Sequence, residues 1–388
     1  MAETLFAPTP APKTPLGRYR VLGPNCGLRV SPLQLGAMSI GTAWHEFMGT
    51  MDKEESFKLL DAYLEAGGNM CDTANAYQND ESEEWIGEWM ASRNVRDRMV
   101  VATKYTTNYK LHSLGKNEAI LFGGNHKRSL HMSVRDSLKK LQTDWIDILY
   151  VHWWDFTTSI KEVMDSLHIL VEQGKVLYLG VSDTPAWVVS AANQYAIDHG
   201  KTPFVIYQGR WNVMLRDFER EIIPMARQFG LALAPWDAIG SGRLLSKKQL
   251  EARLESGEKM RGQGGNEQTE IERKYSQVLE EVGKEHNVDS VTAVALAYVM
   301  AKTPYVFPLV GGRKISHLHD NIRSLEIKLT AEQIAKIDSV QEFEHGFPSN
   351  FCGTDPTMNP IEGQPRNHLI AASGTLDFLP GPKPFGLA

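Results

Sequence analysis

The chain has 388 residues, of which 42% are hydrophobic and 23% are charged, a balance typical of a globular protein. Its formal net charge of −6 argues against nucleic-acid binding, which usually requires a dense basic face. The three cysteines, Cys26, Cys71 and Cys352, are widely separated and have neither zinc-site nor disulfide-framework spacing, which favours a reducing compartment.

The N-terminal stretch 1–16 is rich in proline and lacks the apolar segment of a signal peptide, so we expect a flexible arm. The longest apolar run, 293–301, is shorter than the about 20 residues that span a bilayer. We therefore expect a cytoplasmic protein without a membrane partner. The sequence carries no signal of a particular oligomeric state.

From Leu33 onward the chain repeats one pattern, in which a short apolar run ends in a polar residue and an amphipathic stretch follows. Continuous apolarity is typical of strands that are buried on both faces of a parallel sheet. The runs predict eight strands, over 33–38, 68–72, 99–104, 146–152, 176–183, 204–208, 231–236 and 305–312.

Helical periodicity separates these strands. Apolar residues repeat at helical spacing over 57–64, and the glycine pair 67–68 is a typical helix end. A second helix is predicted around 85–90, with Asp80 and Glu83 at the spacing of a capping box. Further helices are predicted over 130–142, 160–173, 185–199, 216–229, 316–326 and 331–340.

Eight strand–helix units predict an α/β protein with a (β/α)8 barrel, as one domain over 17–345. A doubly wound sheet is the alternative, but no GxGxxG fingerprint follows a strand and no P-loop is present. The long connections 105–128 and 240–275 follow strands three and seven, on the face where barrel enzymes place their sites, and are expected to be lids or disordered. The tail, 346–388, is predicted to be irregular.

Polar side chains end three predicted strands: Asp72, Lys104 and His152, and Tyr77 lies in the loop after Asp72. In a barrel these side chains would meet at one rim. A lysine cation lowers the pKa of a nearby phenol, and Asp72 could pair with that lysine. A neutral His152 could donate a hydrogen bond to a carbonyl oxygen. The set suits protonation of an oxygen while its carbon is attacked, which is carbonyl reduction.

Each of these residues also has a purely structural interpretation. An aspartate at a strand end often caps a turn, a lysine there often extends to solvent, and a histidine beside two tryptophans could belong to the core. A barrel hydrolase that uses Asp72 and a second carboxylate is a further alternative. Asp183 and Asp237 end other strands, but both are better placed for cofactor contacts.

The stretch 72–87, DTANAYQNDESEEWIG, resembles the DTAxxYxxxxSEExxG pattern of the aldo-keto reductases, a family of (β/α)8 barrels that move hydride between NADPH and carbonyls. The resemblance extends over 17–340. It implies that Tyr77 is the general acid, that His152 orients the carbonyl, and that Lys104 with Asp72 tunes the tyrosine.

The resemblance also implies a nicotinamide site. The GVSD stretch ending in Ser182 and Asp183 is similar to the family's GVSN, although a carboxylate cannot donate to the carboxamide oxygen unless it is protonated. Gln208 matches a carboxamide-binding glutamine, and Trp236 matches the aromatic ring that stacks on the nicotinamide. The loop after Trp236 resembles the strap over the pyrophosphate, with expected contacts from Asp237, Gly240, Gly242, Arg243 and Lys248.

The segment 311–321, GGRKISHLHDN, is similar to the family's segment that binds the adenosine 2′-phosphate. Arg313 and Lys314 precede a predicted helix start, where two cations and free N–H groups favour a dianionic phosphate. This predicts NADPH/NADP+ rather than NADH. The residues expected to face the phosphate and adenine are His317, Asp320 and Asn321. An exposed charged turn is the alternative, and no metal is predicted.

Stretches such as LGAMSIG and APWDAIGSG most resemble the fungal branch that contains aryl-alcohol dehydrogenases and norsolorinic acid reductases of the aflatoxin pathway. This implies a small aromatic or polyketide-derived aldehyde or ketone as substrate, in secondary metabolism of the aflatoxin kind. Trp44, Trp153, Trp154 and Tyr105 could wall an aromatic pocket, with Trp44, Trp153 and His152 touching the substrate. The alternative is a non-catalytic NADPH-binding subunit, like the β subunits of potassium channels that share this fold.

Overall fold

The first two strands, β1 (Arg20–Gly23) and β2 (Cys26–Val30), form an antiparallel hairpin. The structure is a computed structural model, and it describes residues 6–247, 249–251, 267–355, 357, 367–379 and 381–388. The hairpin was not among the predicted elements, because each strand is short and its apolar residues are few.

Eight further strands form one parallel sheet. They are β3 (Gln34–Gly36), β4 (Met70–Asp72), β5 (Val100–Tyr105), β6 (Ile146–Val151), β7 (Val176–Ser182), β8 (Phe204–Arg210), β9 (Ala232–Trp236) and β10 (Leu309–Val310). Neighbours pair in chain order, and β10 pairs with β3. The ring closes because Leu233 N–H donates to the Tyr305 carbonyl at 2.9 Å and Phe307 N–H donates to the Leu233 carbonyl at 2.8 Å. The predicted (β/α)8 barrel is confirmed.

Each predicted apolar run contains one barrel strand, and β5 and β6 show why the runs are continuous. All six residues of each strand are buried. Ala102 and Ile148 belong to the cluster inside the barrel, whereas Val101 and Leu149 belong to the cluster between the sheet and the helices. Apolar side chains are therefore required on both faces of the sheet.

The hairpin covers the N-terminal ends of the barrel strands, which we call the closed end. Asn25 donates from Nδ2 to the carbonyl of Phe229 at 2.9 Å, just before β9, and Asn69 donates to the carbonyl of Arg29 at 3.0 Å, just before β4. Leu22 packs in the same buried cluster as residues of the barrel interior. The carboxyl ends of the strands form the opposite, open end.

Most helices lie between successive strands. The described helices are α1 (His45–Met48), α2 (Lys53–Glu65), α3 (Glu81–Arg93), α4 (Leu111–Leu114), α5 (Lys127–Lys140), α6 (Ile160–Glu172), α7 (Ala186–Asp198), α8 (Ile222–Phe229), α9 (Glu270–Glu285), α10 (Val291–Lys302), α11 (Ile315–Ile322), α12 (Ala331–Asp338), α13 (Ser349–Cys352) and α14 (His368–Ser373). The helices predicted from periodicity are present with shifted ends. Gly67 follows α2 with a φ of 99°, as the predicted helix end requires.

Six of the described helices were not predicted: the short α1, α4, α13 and α14, and the longer α9 and α10. The interpretation of 240–275 as a loop is wrong from Glu270 onward, where Thr269 and Glu272 form a capping box. Residues 252–266 of that segment lie outside the described part of the chain. α10 gave no periodic signal because it is buried on nearly all sides.

The predicted capping box of Asp80 and Glu83 is also wrong. Asp80 precedes α3 but has a φ of 85°, and its side chain accepts no hydrogen bond from the helix backbone. Both carboxylates instead lie near the Lys140 ammonium, and Glu83 also accepts from Thr103 at 2.6 Å. Buried cations compete successfully with the cap for these oxygens.

Residues close to each end of the chain pack beside the barrel. Leu16 is fully buried, within the stretch expected to be a flexible arm, and Leu329 exchanges hydrogen bonds with Gly386 and Ala388. The proposed boundaries of arm, barrel and tail remain predictions. In the described ranges, no helix combines the length and apolarity needed to cross a membrane.

Candidate active site

A buried ion pair lies at the open end of the barrel. Asp72 is the last residue of β4 and pairs with Ala102 of β5. Lys104 lies two residues further along β5. The Lys104 ammonium lies 2.6 Å from Asp72 Oδ2 and donates to the Thr73 carbonyl at 2.8 Å. Lys104 is completely inaccessible to solvent. Burial acts to lower the pKa of Lys104, but Asp72 and Tyr77 outweigh it, so the pKa is raised and the group is a cation.

The second oxygen of Asp72 is bound across the barrel. Gln208, on β8, donates from Nε2 to Asp72 Oδ1 at 2.8 Å. Gln208, which the family resemblance assigned to the carboxamide, is thus also a ligand of the ion pair. Each of the two Asp72 oxygens therefore accepts a hydrogen bond, which stabilises a charged pair in the barrel interior.

Tyr77 lies directly above this pair. Its ring centroid is 5.1 Å from Lys104 Nζ. Burial raises the pKa of Tyr77, whereas the charge of Lys104 and a hydrogen bond from it act to lower the pKa. The net direction is upward, so the expectation that Lys104 brings the pKa below its usual value is not met in this state of the protein. The phenol therefore carries its proton at neutral pH.

His152 follows β6 and faces Tyr77. The two ring centroids are 5.9 Å apart with the rings at 77° to each other. Burial, and secondarily the Lys104 cation, lowers the pKa of His152 to about 3, so the imidazole is neutral. Its Nδ1 lies 3.1 Å from Thr107 Oγ1. The structure therefore brings all four predicted proton-transfer residues together.

The predicted aromatic wall is only partly present at the mouth of the site. The Trp44 ring lies 6.1 Å from that of Tyr77, and Trp153 is 39% exposed. The prediction that Tyr105 lines this wall is wrong. Its ring is completely buried, and its hydroxyl donates to the Asn125 carbonyl at 3.3 Å. Trp154 packs partly against the core.

Thr107 was missed from the sequence. Its Oγ1 accepts a hydrogen bond from Trp153 Nε1 at 3.1 Å and also contacts His152 Nδ1. The neighbouring Thr106 has a φ of 101° and its hydroxyl oxygen accepts from His152 N–H at 3.3 Å. The pair of threonines directly after a strand was the available signal.

The expected nicotinamide residues cluster beside the ion pair. Trp236 donates from Nε1 to Asp183 Oδ1 at 3.1 Å, and Ser182 donates to Asp183 Oδ2 at 3.2 Å. The Arg210 guanidinium lies 5.6 Å from the centre of the Trp236 ring. Asp183 thus already accepts two hydrogen bonds, one to each carboxylate oxygen.

The loop expected to strap the pyrophosphate begins with Asp237. Its side chain accepts from Arg210 at 2.7 Å and from Ser241 at 2.6 Å. Gly240 has a φ of 60°, and a Cβ there would approach Met214 Cε to 2.8 Å. Gly242 has a φ of 78°. The left-handed backbone at both positions favours glycine.

Arg243, which was also expected in the strap, contacts the segment before α9. Arg243 donates to the Glu267 carbonyl at 3.3 Å and lies 3.8 Å from the Glu272 carboxylate. Lys248 lies outside the described residues.

The expected 2′-phosphate residues flank the start of α11. Arg313 and Lys314 precede its first turn, and a Cβ on Gly49 would overlap the Arg313 guanidinium. His317 borders Gly312, and Asn321 is buried.

Asp320 faces α10 instead of the helix start. It accepts from Ser290 at 2.5 Å and from Thr292 at 2.9 Å. Within the described ranges, no cluster of metal-ligating side chains is present.

A parallel barrel with a phenol, an ammonium and a neutral imidazole at its open end has the architecture of a barrel oxidoreductase. The chain belongs to the aldo/keto reductase family, whose profile matches residues 32–342. Enzymes of this family act on small carbonyl compounds with a nicotinamide cofactor.

Three relatives show the breadth of this similarity. A putative aryl-alcohol dehydrogenase of Saccharomyces cerevisiae is 64% identical over 91% of this chain and 94% of its own length. An NADP(+) aryl-alcohol dehydrogenase of Phanerodontia chrysosporium is 53% identical over 97% of both chains. Norsolorinic acid reductase A of Aspergillus parasiticus is 49% identical over 90% of this chain and 88% of its own. The predicted fungal branch of the family is confirmed.

Proposed function

We propose that the protein is an NADPH-dependent reductase of aromatic or polyketide-derived aldehydes and ketones. The observation that carries the proposal is the protonated Tyr77 phenol between the Lys104 cation and the neutral His152 ring. The names of the aryl-alcohol dehydrogenase and norsolorinic acid reductase relatives support this substrate class.

The residues beside the phenol fit a nicotinamide dinucleotide. Trp236 offers an aromatic face beside Asp183, and Arg313 with Lys314 offers two cations at a helix start. When bound, NADPH supplies the hydride that reduces the carbonyl carbon. Asp183 would accept from the carboxamide NH2 group.

Tyr77 would give its proton to the carbonyl oxygen as negative charge develops there. The phenolate that remains would lie beside the Lys104 ammonium, which stabilises it, and the cation in turn is fixed by Asp72. The upward direction of the pKa of Tyr77 keeps the proton available until charge appears on the substrate.

His152 would bind the carbonyl oxygen through Nε2. Trp153 Nε1 can only donate, so Thr107 Oγ1 accepts from it, and the Thr107 hydroxyl hydrogen would be free to donate to His152 Nδ1. In that arrangement the single ring proton of the neutral imidazole would lie on Nε2. Thr107 would then select the tautomer that can donate to substrate.

A direct assay tests the proposal. The protein is mixed with NADPH and a panel of aryl aldehydes, including veratraldehyde, and anthraquinone ketones, and the cofactor absorbance is followed. We expect turnover with aryl carbonyls and little with small aliphatic ones, because Trp44 packs against the phenol and the exposed Trp153 is joined to His152 through Thr107. Tight NADPH binding without turnover across the panel would contradict the proposal and favour a non-catalytic binding subunit.

The choice of cofactor has its own test. Replacing Arg313 and Lys314 together by alanine should weaken NADPH binding by about 100-fold or more, since each of the two charge-assisted contacts contributes about 1.5–3 kcal/mol. NADH, which lacks the 2′-phosphate, should lose much less. Both dissociation constants are measured by quenching of tryptophan fluorescence, and equal losses for the two cofactors would refute the 2′-phosphate assignment.

A further inference from the structure

The turn that carries Tyr77 has an unusual backbone. The three residues after the tyrosine, Gln78, Asn79 and Asp80, have φ values of 52°, 53° and 85°. Left-handed backbone is unfavourable for residues other than glycine, so three in succession persist only where surrounding contacts hold them. The contacts of this turn are therefore expected to determine where the phenol lies.

Asp80 is the most strongly held residue of the turn. It is 6% exposed, and its Oδ1 accepts from the Lys140 ammonium at 2.5 Å. Its Oδ2 lies 3.2 Å from Lys110 Nζ and 3.0 Å from His112 Nε2. Burial acts to raise the pKa of Asp80, but these donors, Lys140 first, hold the pKa below its usual value. The carboxylate is charged at neutral pH.

Lys140, in the last turn of α5, holds both sides of the Tyr77 turn. Besides Asp80, its ammonium donates to the Asn75 carbonyl at 3.1 Å, two residues before the tyrosine. It also lies 2.7 Å from Glu83, in the first turn of α3. A single buried cation thus connects the backbone before Tyr77, the turn after it and the helix that follows.

The other face of the same turn holds Trp44. Gln78 Oε1 accepts from the Trp44 backbone N–H at 2.7 Å, and Asn79 Oδ1 accepts from Trp44 Nε1 at 3.1 Å. The left-handed conformation of 78 and 79 is what directs these two side chains to the tryptophan. A change at Asp80 would therefore be transmitted to the phenol and to the aromatic wall together.

We propose that Asp80 and Lys140 are positioning residues for proton transfer: their ion pair holds the left-handed turn so that the Tyr77 hydroxyl stays aligned with Lys104 and His152. The inference rests on the proposed role of Tyr77 as proton donor. Neither residue reaches the reacting atoms, so their loss disturbs the alignment of the acid and leaves the cofactor contacts intact.

Two substitutions test the pair. Asp80→Asn removes the charge but keeps a residue that tolerates left-handed backbone, and Lys140→Met removes the cation. Each should lower kcat about 10- to 100-fold, the effect expected of a small misplacement of a catalytic group. NADPH affinity should not change, and the solvent deuterium isotope effect on kcat should increase because proton transfer becomes slower. Lys140→Arg, which keeps the charge, should recover most of the activity.

Asp147→Asn is the matched control. It breaks another buried ion pair, with Arg96, at the closed end. It should lower the thermal unfolding midpoint while leaving kcat and the solvent isotope effect as in the wild type. The inference is overturned if Asp80→Asn retains wild-type kcat and isotope effect, or loses activity only in proportion to thermal stability.

Tyr77→Phe, assayed alongside, separates the two proposals. Retained activity in Tyr77→Phe would overturn the proton-donor role and the positioning role with it. An inactive Tyr77→Phe beside a fully active Asp80→Asn would overturn the positioning role alone. Should Lys140→Met yield no folded protein, Asp80→Asn decides the outcome.

Discussion

Each end of the barrel contains a buried ion pair, and the two pairs bind different partners. At the closed end, Arg96 lies 2.8 Å from Asp147, and its guanidinium also donates to the carbonyls of Met99 and Trp145. At the open end, Lys104 lies 2.6 Å from Asp72 and faces a phenol. The closed-end guanidinium uses its several donors on backbone, so it fastens segments together.

The open-end pair uses a compact ammonium, whose charge stays close to one point. That point lies next to the oxygen-bearing ring of Tyr77, so the pair can respond when the phenol loses its proton. The same attraction between opposite charges thus serves stability at one end and chemistry at the other. Substitutions at matched positions in the two ends should separate these consequences.

Tyr77→Phe should have the largest effect. Loss of the phenolic oxygen removes the proton donor, and general acids contribute about 10²- to 10⁴-fold to rate, so we expect kcat to fall about 10³-fold. The closed-end counterpart is Tyr63→Phe, which removes a buried hydroxyl that is bonded to Leu33 and Met70 carbonyls at 2.8 Å. Steady-state kinetics should show no change in kcat for Tyr63→Phe.

Lys104→Met and Arg96→Met each leave a buried carboxylate without its cation. Both should destabilise the fold by about 3–5 kcal/mol, measured by urea unfolding. Only Lys104→Met should also lower kcat, by about 10²-fold, because only its cation stabilises the phenolate. A similar loss of kcat in Arg96→Met would remove the functional distinction between the two ends.

Thr107→Val should have a smaller effect. The change keeps the shape of the side chain but removes the hydroxyl that binds His152 Nδ1, so the ring proton is no longer held on Nε2. A hydrogen bond of about 1.4 kcal/mol corresponds to about a tenfold loss of kcat. Thr143→Val, which removes a bond to Arg96 at the closed end, is the control and should leave kcat unchanged.

The last prediction concerns the effect of pH on stability through His152, and not a change in kcat. Its pKa is lowered to about 3 in the folded protein from a usual value of 6.5, so between these values the unfolded chain binds a proton that the folded chain does not. Stability should therefore fall as pH drops below 6.5, by up to about 1.4 kcal/mol per pH unit, and should gain nothing above it. In His152→Gln, the free energy of unfolding, measured by urea at each pH, should depend less on pH in this range. An unaltered slope from pH 6 to 5 would contradict the prediction.

The sequence predicted the barrel and the meeting of Asp72, Lys104 and His152 because parallel strands place their carboxyl ends at one rim. The error at Tyr105 follows from the same geometry. Successive side chains of a strand point to opposite faces, so a Lys104 that points inward requires Tyr105 to point outward. Alternation along the strand was visible in the sequence and would have corrected the assignment.

Other features depend on contacts that sequence spacing does not encode. Asp80 and Glu83 have the spacing of a capping box, but Lys140, from another helix, takes both carboxylates. The hydrogen bonds that join Trp153, Thr107 and His152 depend on how two separate loops fold over the rim. Such tertiary contacts override local preference, and they are the ones that set the chemistry of the site.

The order of the strands along the chain also determines when, relative to synthesis, the barrel and its site can be completed. Every proton-transfer residue has been synthesised once His152 is added, yet the ring that presents them closes only when Leu309 pairs with Gln34. Pairing between segments so distant in sequence is slow and comes late in folding. A nascent chain would therefore carry all four proposed proton-transfer side chains before the site is assembled, and we expect activity only in molecules whose last strand has joined the first.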